Sequence, residues 1–294
     1  MAQEHFLADE STAQGARRIL LTELDAAIDL LSGGEPDANE AVHEARKKIK
    51  RLRALLRLLR EPLGPVFARE NGALRDTAQG LTAAREAAAA LEALSLLQEE
   101  HPGPATPEDF DAARSELAPR APANREAVGE LLQHAADQLR QVRQRLSAIM
   151  LYDSGWDLVG DGFEEGYRRA RSALKHAFLH LTPVAFHELR KAVKSHQHQL
   201  QLFEPVWSDL LEPRRRALAE LSELLGHHHD LALLAPHLRQ HGFDRVAAAA
   251  EERSAALEQE ILHEARKLLA ERPRHFSGSL GAWFENYQTP AVRN

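Results

Sequence analysis

Eight lysines and arginines fall between residues 45 and 60, with no aspartate or glutamate among them. On one helix, at 100° per residue, His43, Arg46, Lys47, Lys50, Arg53 and Arg57 share an arc of about 120°. Val42, Ala45, Ile49, Leu52, Leu56 and Leu59 take the other side. Such a helix has one face for packing and a cationic face about 21 Å long, at roughly 1.5 Å per residue. A solvated face ordinarily interleaves acids four residues away, which relieves like-charge repulsion. Between Ala45 and Arg60 there is none, so the stretch points to an external anion as the missing partner. A second stripe of His187, Arg190, Lys191, Lys194 and His198 lies over Phe186, Leu189, Val193, Leu200 and Phe203.

The two stripes are copies. HEARKKIK at 43–50 recurs as HELRKAVK at 187–194, and LTAARE at 81–86 aligns with LGHHHD at 225–230, both at an offset of 144 residues. Two separated blocks in one register imply duplication. The expected architecture is two four-helix halves with pseudo-two-fold symmetry, presenting two cationic walls to a shared ligand. Arg168, Arg171 and Lys175 stand at i, i+3 and i+7 and extend the cationic set, with Arg169 beside them. Arg75 and Arg85 lie on the helix that the repeat pairs with His227, His228 and His229. Three adjacent histidines spread around a helix and cannot all ligate one ion, so they are read as polar cations beside an anion, and no metal site is assigned. His196 lies opposite the basic arc and is expected to be a hydrogen-bonded core residue.

The elements that must carry these residues are helical throughout. The 294 residues are 44% apolar, 28% charged and only 5% aromatic, a balance that favours helices over strands. The periodicity predicts helices over about 11–31, 37–60, 69–98 and 124–150. Residues 153–162 form a joint, followed by helices over about 162–181, 183–203, 213–240 and 243–269 and a short terminal segment. Five prolines between 101 and 122 mark a loop with one short helical stretch. The fold class is therefore all-α, with about eight principal helices. No cysteine is present, which excludes a disulfide framework, a thiolate nucleophile and Cys-ligated metal centres. The formal net charge is −7, so any attraction for polyanions must be local. The start MAQEHFLADE has no export-signal pattern and no run is long enough to span a membrane, so a cytoplasmic protein is expected.

The blocks HEARKKIKRLRALLRLL, GYRRARSALKHA, FHELRKAVKSHQHQLQLFEPVW and LLGHHHDLALL, in that order, resemble the CHAD family, the conserved histidine α-helical domain. The resemblance runs from about residue 8 to 288 and implies a single domain of two repeats, about 8–152 and 162–288, around a basic central channel. It implies binding of inorganic polyphosphate and association with polyphosphate granules in the cytoplasm. By motif, the implied contacts are His43, Arg46, Lys47, Lys50 and Arg53 in the first half and His187, Arg190, Lys191 and Lys194 in the second. The following helices supply Arg85 and His227 or His229, and Arg168, Arg171 and Lys175 match the family's basic helix. Two departures stand out: Arg85-Glu86 replaces the usual arginine–aspartate pair, and a common tyrosine is missing near His198. Some relatives carry a triphosphate-hydrolysing β-barrel ahead of the helical domain, for which this chain has no strand-rich segment.

Physical chemistry is consistent with that ligand. A linear polyanion without bases needs spaced cations, forked from arginine and compact from lysine, and no stacking platform. Histidines titrating near neutrality predict affinity that rises as pH falls. The expected function is non-catalytic, with no cofactor. Two alternatives compete: a metal-dependent His-Asp phosphohydrolase using His187, His229 and Asp230, and nucleic-acid binding through the same stripe. The missing second metal-binding aspartate weighs against the first, and the stripe's lack of aromatics against the second.

Overall fold

The structure, a computed structural model, describes residues 4–33, 38–81, 86–101, 103–118, 125–152 and 155–288. Among these it is all-α, 86% helical, with twelve α-helices and no strand. They are α1 (Thr12–Ser32), α2 (Ala38–Leu58), α3 (Arg60–Leu63), α4 (Pro65–Gly80), α5 (Glu86–Glu100), α6 (Pro107–Leu117) and α7 (Arg125–Ser147). Then come α8 (Gly160–His180), α9 (Pro183–Gln201), α10 (Ser208–Gln240), α11 (Asp244–Leu268) and α12 (Pro273–Gln288). Local signals place the boundaries. Ser11 and Gln14 form a reciprocal capping box on α1, Thr106 and Asp109 do the same on α6 ahead of Pro107, and Thr182 caps α9 through the Ala185 amide.

The helix order of the first part recurs in the second. Helices α1, α2, α6 and α7 start near 144 residues before α8, α9, α11 and α12, and α4 with α5 covers the stretch matched by the unbroken α10. The single helix expected over 69–98 is divided: α4 ends at Gly80 and α5 begins at Glu86, while residues 82–85 lie outside the described residues. Nor do the helices sort into two separate four-helix halves. Helices α5 and α6 pack across onto α10 and α11 of the other part, burying Leu94, Leu97, Phe110 and Ala113. The interleaving follows from apolar faces that their own half leaves uncovered.

The core orients the two basic helices. Ala41, Val42, Ala45, Ile49, Leu52 and Leu56 of α2 are buried beneath α1, and Phe186, Leu189, Val193 and Leu200 of α9 beneath α8 and α10. Helix α2 also packs directly on α8 and α9. The approach to α8 is close enough to require glycine: a Cβ at Gly162 would stand 2.3 Å from the Leu58 carbonyl oxygen. The expected joint is not a loose linker, because Trp156 packs into an aromatic cluster with Phe163, Phe203 and Phe284 at ring separations of 5.3–5.9 Å. Phe6, fully buried, joins the same cluster against Phe203 and Phe284 and ties the N-terminal segment to α12.

Gly162→Ala is expected to destabilise the fold by roughly 1–3 kcal/mol, because the Leu58 backbone has no room to yield. Denaturant unfolding measures it; an unchanged midpoint would contradict the close α2–α8 approach.

Candidate anion-binding site

Where α2 crosses α9, the two cationic stripes meet. The Lys194 ammonium lies within electrostatic reach of Arg190 on its own helix and of Lys47 and Arg51 on α2. Its pKa falls, first because burial strips water from the charge and then because these cations repel it; Glu223 of α10 offsets part of that. Among the described residues neither Arg190 nor Lys194 has an ion-pair partner. Each half also carries the same local pair: Lys47 holds Glu44 at 3.2 Å and Lys191 holds Glu188 at 2.5 Å. Arg46 donates to the Ala78 carbonyl at 2.5 Å, which anchors it toward α4. Lys50 is exposed on α2, and His43 is partly exposed beside Glu44, 3.8 Å away.

Part of the positive charge of α2, that of Lys48 and Arg51 beside the stripe, is neutralised inside the fold, which the sequence pattern conceals. Glu4 binds Lys48 at 2.9 Å and Arg51 at 2.5 Å, and the nearly buried Glu23 of α1 binds Lys48 at 3.1 Å. Burial raises the Glu23 carboxyl despite these cations. The acids absent from the stripe are thus supplied by other segments. The anion that the unrelieved charge called for is in part internal.

Farther along α2, Arg53 donates to Asn71 at 3.1 Å and Arg57 to Ser195 of α9 at 3.2 Å. Burial, then Arg53 and Arg169, lower the Arg57 pKa to about 10.

The histidine run divides as its helical spacing requires. His229 faces His187 of α9, with their Nδ1 atoms 3.3 Å apart, beside Arg190. His228 is buried against Phe186 and bonds Glu258 at 3.2 Å, a packing role. His227 turns instead toward a hollow between α5, α10 and α11, together with Glu92, Asp230 and Arg253. It therefore stands apart from the seam.

Other expected members also stand apart. His198 is buried beneath the seam, beside Glu23, Arg51 and Leu55 and within electrostatic reach of Lys194 and Lys50, rather than displayed on the basic face. Arg168 is held by Glu164 and by Glu165, the latter at 2.6 Å. Arg171 donates to the Glu271 carbonyl at 2.7 Å on the far flank of α8, and Lys175 shares that exposed flank. Arg169, on the opposite flank, is the α8 cation that reaches the seam. Gly162 and Gly166, which mark the packed side of α8, are the signal that would have selected it. Arg85 lies outside the described residues. His196 is a core residue, as expected, packed among the rings of Phe163, Tyr167 and Phe276, but neither ring nitrogen has a hydrogen-bond partner among the described residues.

Among the described residues no three His, Cys, Asp or Glu side chains come together to hold a metal ion, and no helix is long and apolar enough to cross a membrane. Helical bundling around two duplicated basic helices defines a class of all-α domain. The CHAD domain family model matches residues 18–239, and the chain belongs to that family. The match ends within α10, while α11 and α12 pack onto the matched helices. No curated protein matches the chain.

Burial first, and then neighbouring cations, push His229 down to about 4, and His187 is lowered for the same reasons. Burial takes His196 and His198 to about 3. Burial thus favours the neutral forms of His187, His196, His198 and His229, against the expectation that they titrate near neutrality. Because the unfolded chain binds these protons near pH 6.5 and the folded chain only lower, stability is lost as pH falls from about 6.5 toward 4. His229→Gln should make that loss shallower than in the wild type; melting curves across this range measure the difference.

Proposed function

We propose that the protein binds inorganic polyphosphate without turning it over, along the seam between α2 and α9. The observation that carries this reading is the convergence of Lys47 and Arg51 with Arg190 and Lys194, two of them lacking any ion-pair partner among the described residues. Cations brought together at partial burial repel one another, and an anion of matching spacing relieves the repulsion. Membership in the CHAD family supports polyphosphate as that anion, as does the absence of aromatic side chains from the exposed face of either stripe. His187 and His229 add ring donors once an anion raises their proton affinity. A cytoplasmic location on polyphosphate granules, and a basic channel continuous between the halves, belong to the same proposal.

The alternative of a His-Asp phosphohydrolase rests on His229 and Asp230. The structure turns these side chains to different surroundings, His229 to the seam and Asp230 to the hollow beside α5. That separation favours binding over hydrolysis.

Long-chain polyphosphate is expected to bind far more tightly than orthophosphate, with affinity falling by about tenfold or more between 50 and 200 mM salt through counterion release. Lys50→Ala combined with Lys194→Ala should weaken binding by about tenfold, the scale of one lost charge-assisted contact. Titration with phosphate release measured in the same tubes tests both points. Equal affinity for the two ligands would overturn the binding reading, and release that is stimulated by Mn²⁺ and lost in Asp230→Ala would replace it with hydrolysis. Displacement of bound polyphosphate by equimolar RNA would redirect it to nucleic acid.

A further inference from the structure

The cations of the seam do not all recur. At the offset of 144 residues His43, Arg46, Lys47 and Lys50 meet His187, Arg190, Lys191 and Lys194, but Arg53 and Arg57 meet Gln197 and Gln201. Gln197 is buried and bonded to Ser222, so the second half has no cationic counterpart there.

The two arginines stand where α2, α8 and α9 converge. The Leu58 backbone is pressed against Gly162 of α8, and the Arg57 guanidinium reaches Ser195 Oγ of α9 at 3.2 Å and the Arg53 carbonyl at 3.3 Å. Arg53 Nε donates to Asn71 Oδ1 at 3.1 Å. All these hydrogen-bond partners are neutral acceptors, which orient the guanidinium groups; Arg75 and Asp76 lie within electrostatic reach of Arg53 with opposing effects. Among the described residues neither Arg53 nor Arg57 has an ion-pair partner. Arg169 of α8 adds a third positive charge within electrostatic reach of Arg57, although its own Glu165 lies 2.9 Å away.

We propose that Arg53 and Arg57, with Arg169 and the Ser195 hydroxyl, seat one doubly charged tetrahedral oxyanion: the terminal phosphate of a polyphosphate chain. This rests on the polyphosphate reading of the seam and adds recognition of a chain end to it. The chemistry distinguishes the two kinds of phosphate. An interior phosphate carries one negative charge, whereas a terminal one, with a second ionisation near pH 6, carries about −1.5 to −2 at pH 7. Two forked guanidinium groups at partial burial favour the more highly charged, more exposed oxyanion. Because the second half has glutamines at both positions, the seam has one such end, and a chain starting at Arg57 runs along α2 toward Lys50, Lys47 and the α9 cations.

The test compares polyphosphate of one defined length with the same chains capped at both ends as phosphate esters, titrated against the full chain. Uncapped chains should bind about tenfold more tightly, the value of one charge-assisted contact. Arg57→Gln, which installs the residue of the second half, should bring that ratio close to one. If Arg57→Gln does not fold by its melting curve, Arg53→Gln carries the same comparison. Equal binding of capped and uncapped chains by the wild type, or a ratio unchanged in the folded variant, overturns chain-end recognition and leaves the seam reading intact. Failure of both chains to bind overturns the seam reading together with it.

Discussion

Two helices are held together here although their facing charges oppose it. The buried side chains of α2 and α9, among them Ile49, Leu52, Phe186 and Val193, each contribute about 1.5–3 kcal/mol when withdrawn from water. A like-charge pair on a helix surface costs only about 0.2–0.5 kcal/mol. Apolar burial on the far faces therefore wins, and it presses Lys47 and Arg51 toward Arg190 and Lys194. The fold stores electrostatic repulsion at the seam, which the anion binding proposed above would relieve. The lowered Lys194 and Arg57 are the local record of that constraint.

The internal carboxylates make the remaining charge specific. Glu4 and Glu23 take up Lys48 and Arg51 on the α1 side, and Glu44 and Glu188 each hold one lysine of the seam. Without them the positive charge would spread along the whole of α2. With them it is concentrated toward α9 and toward the junction with α8. The net charge of −7 keeps the rest of the surface unattractive to polyanions, so the seam stands out against an acidic background. At an offset of 144 residues the two helices carry the same cations at four positions, whereas Arg53 and Arg57 meet Gln197 and Gln201.

The histidines show how burial changes a reading based on residue type. His187 and His229 meet across α9 and α10, where desolvation and nearby arginine disfavour their charged forms. His196 lies interior to the bundle as a ring among Phe163, Tyr167 and Phe276, and His198 is buried beside Glu23 and Arg51, where burial and neighbouring cations disfavour its charged form. One residue type thus fills three places along α9 and α10: the facing pair of His187 and His229, the buried ring of His196, and the packing bond that His228 makes to Glu258.

Sequence alone determined the all-α class, the two amphipathic basic helices and the residues on their cationic faces. These follow from 3.6-residue periodicity and local caps, which depend on near neighbours in the chain. It did not reveal that α5 and α6 cross to α10 and α11, because an apolar face does not name the surface that will cover it. Nor could it pair Lys48 and Arg51 with Glu4 and Glu23, separate Arg169 from Arg168, Arg171 and Lys175, turn His227 away from the seam or bury His198 beneath it. Those outcomes depend on which flank of each helix faces a neighbour. That is set by the simultaneous packing of side chains distant in sequence, and only the tertiary structure decides it.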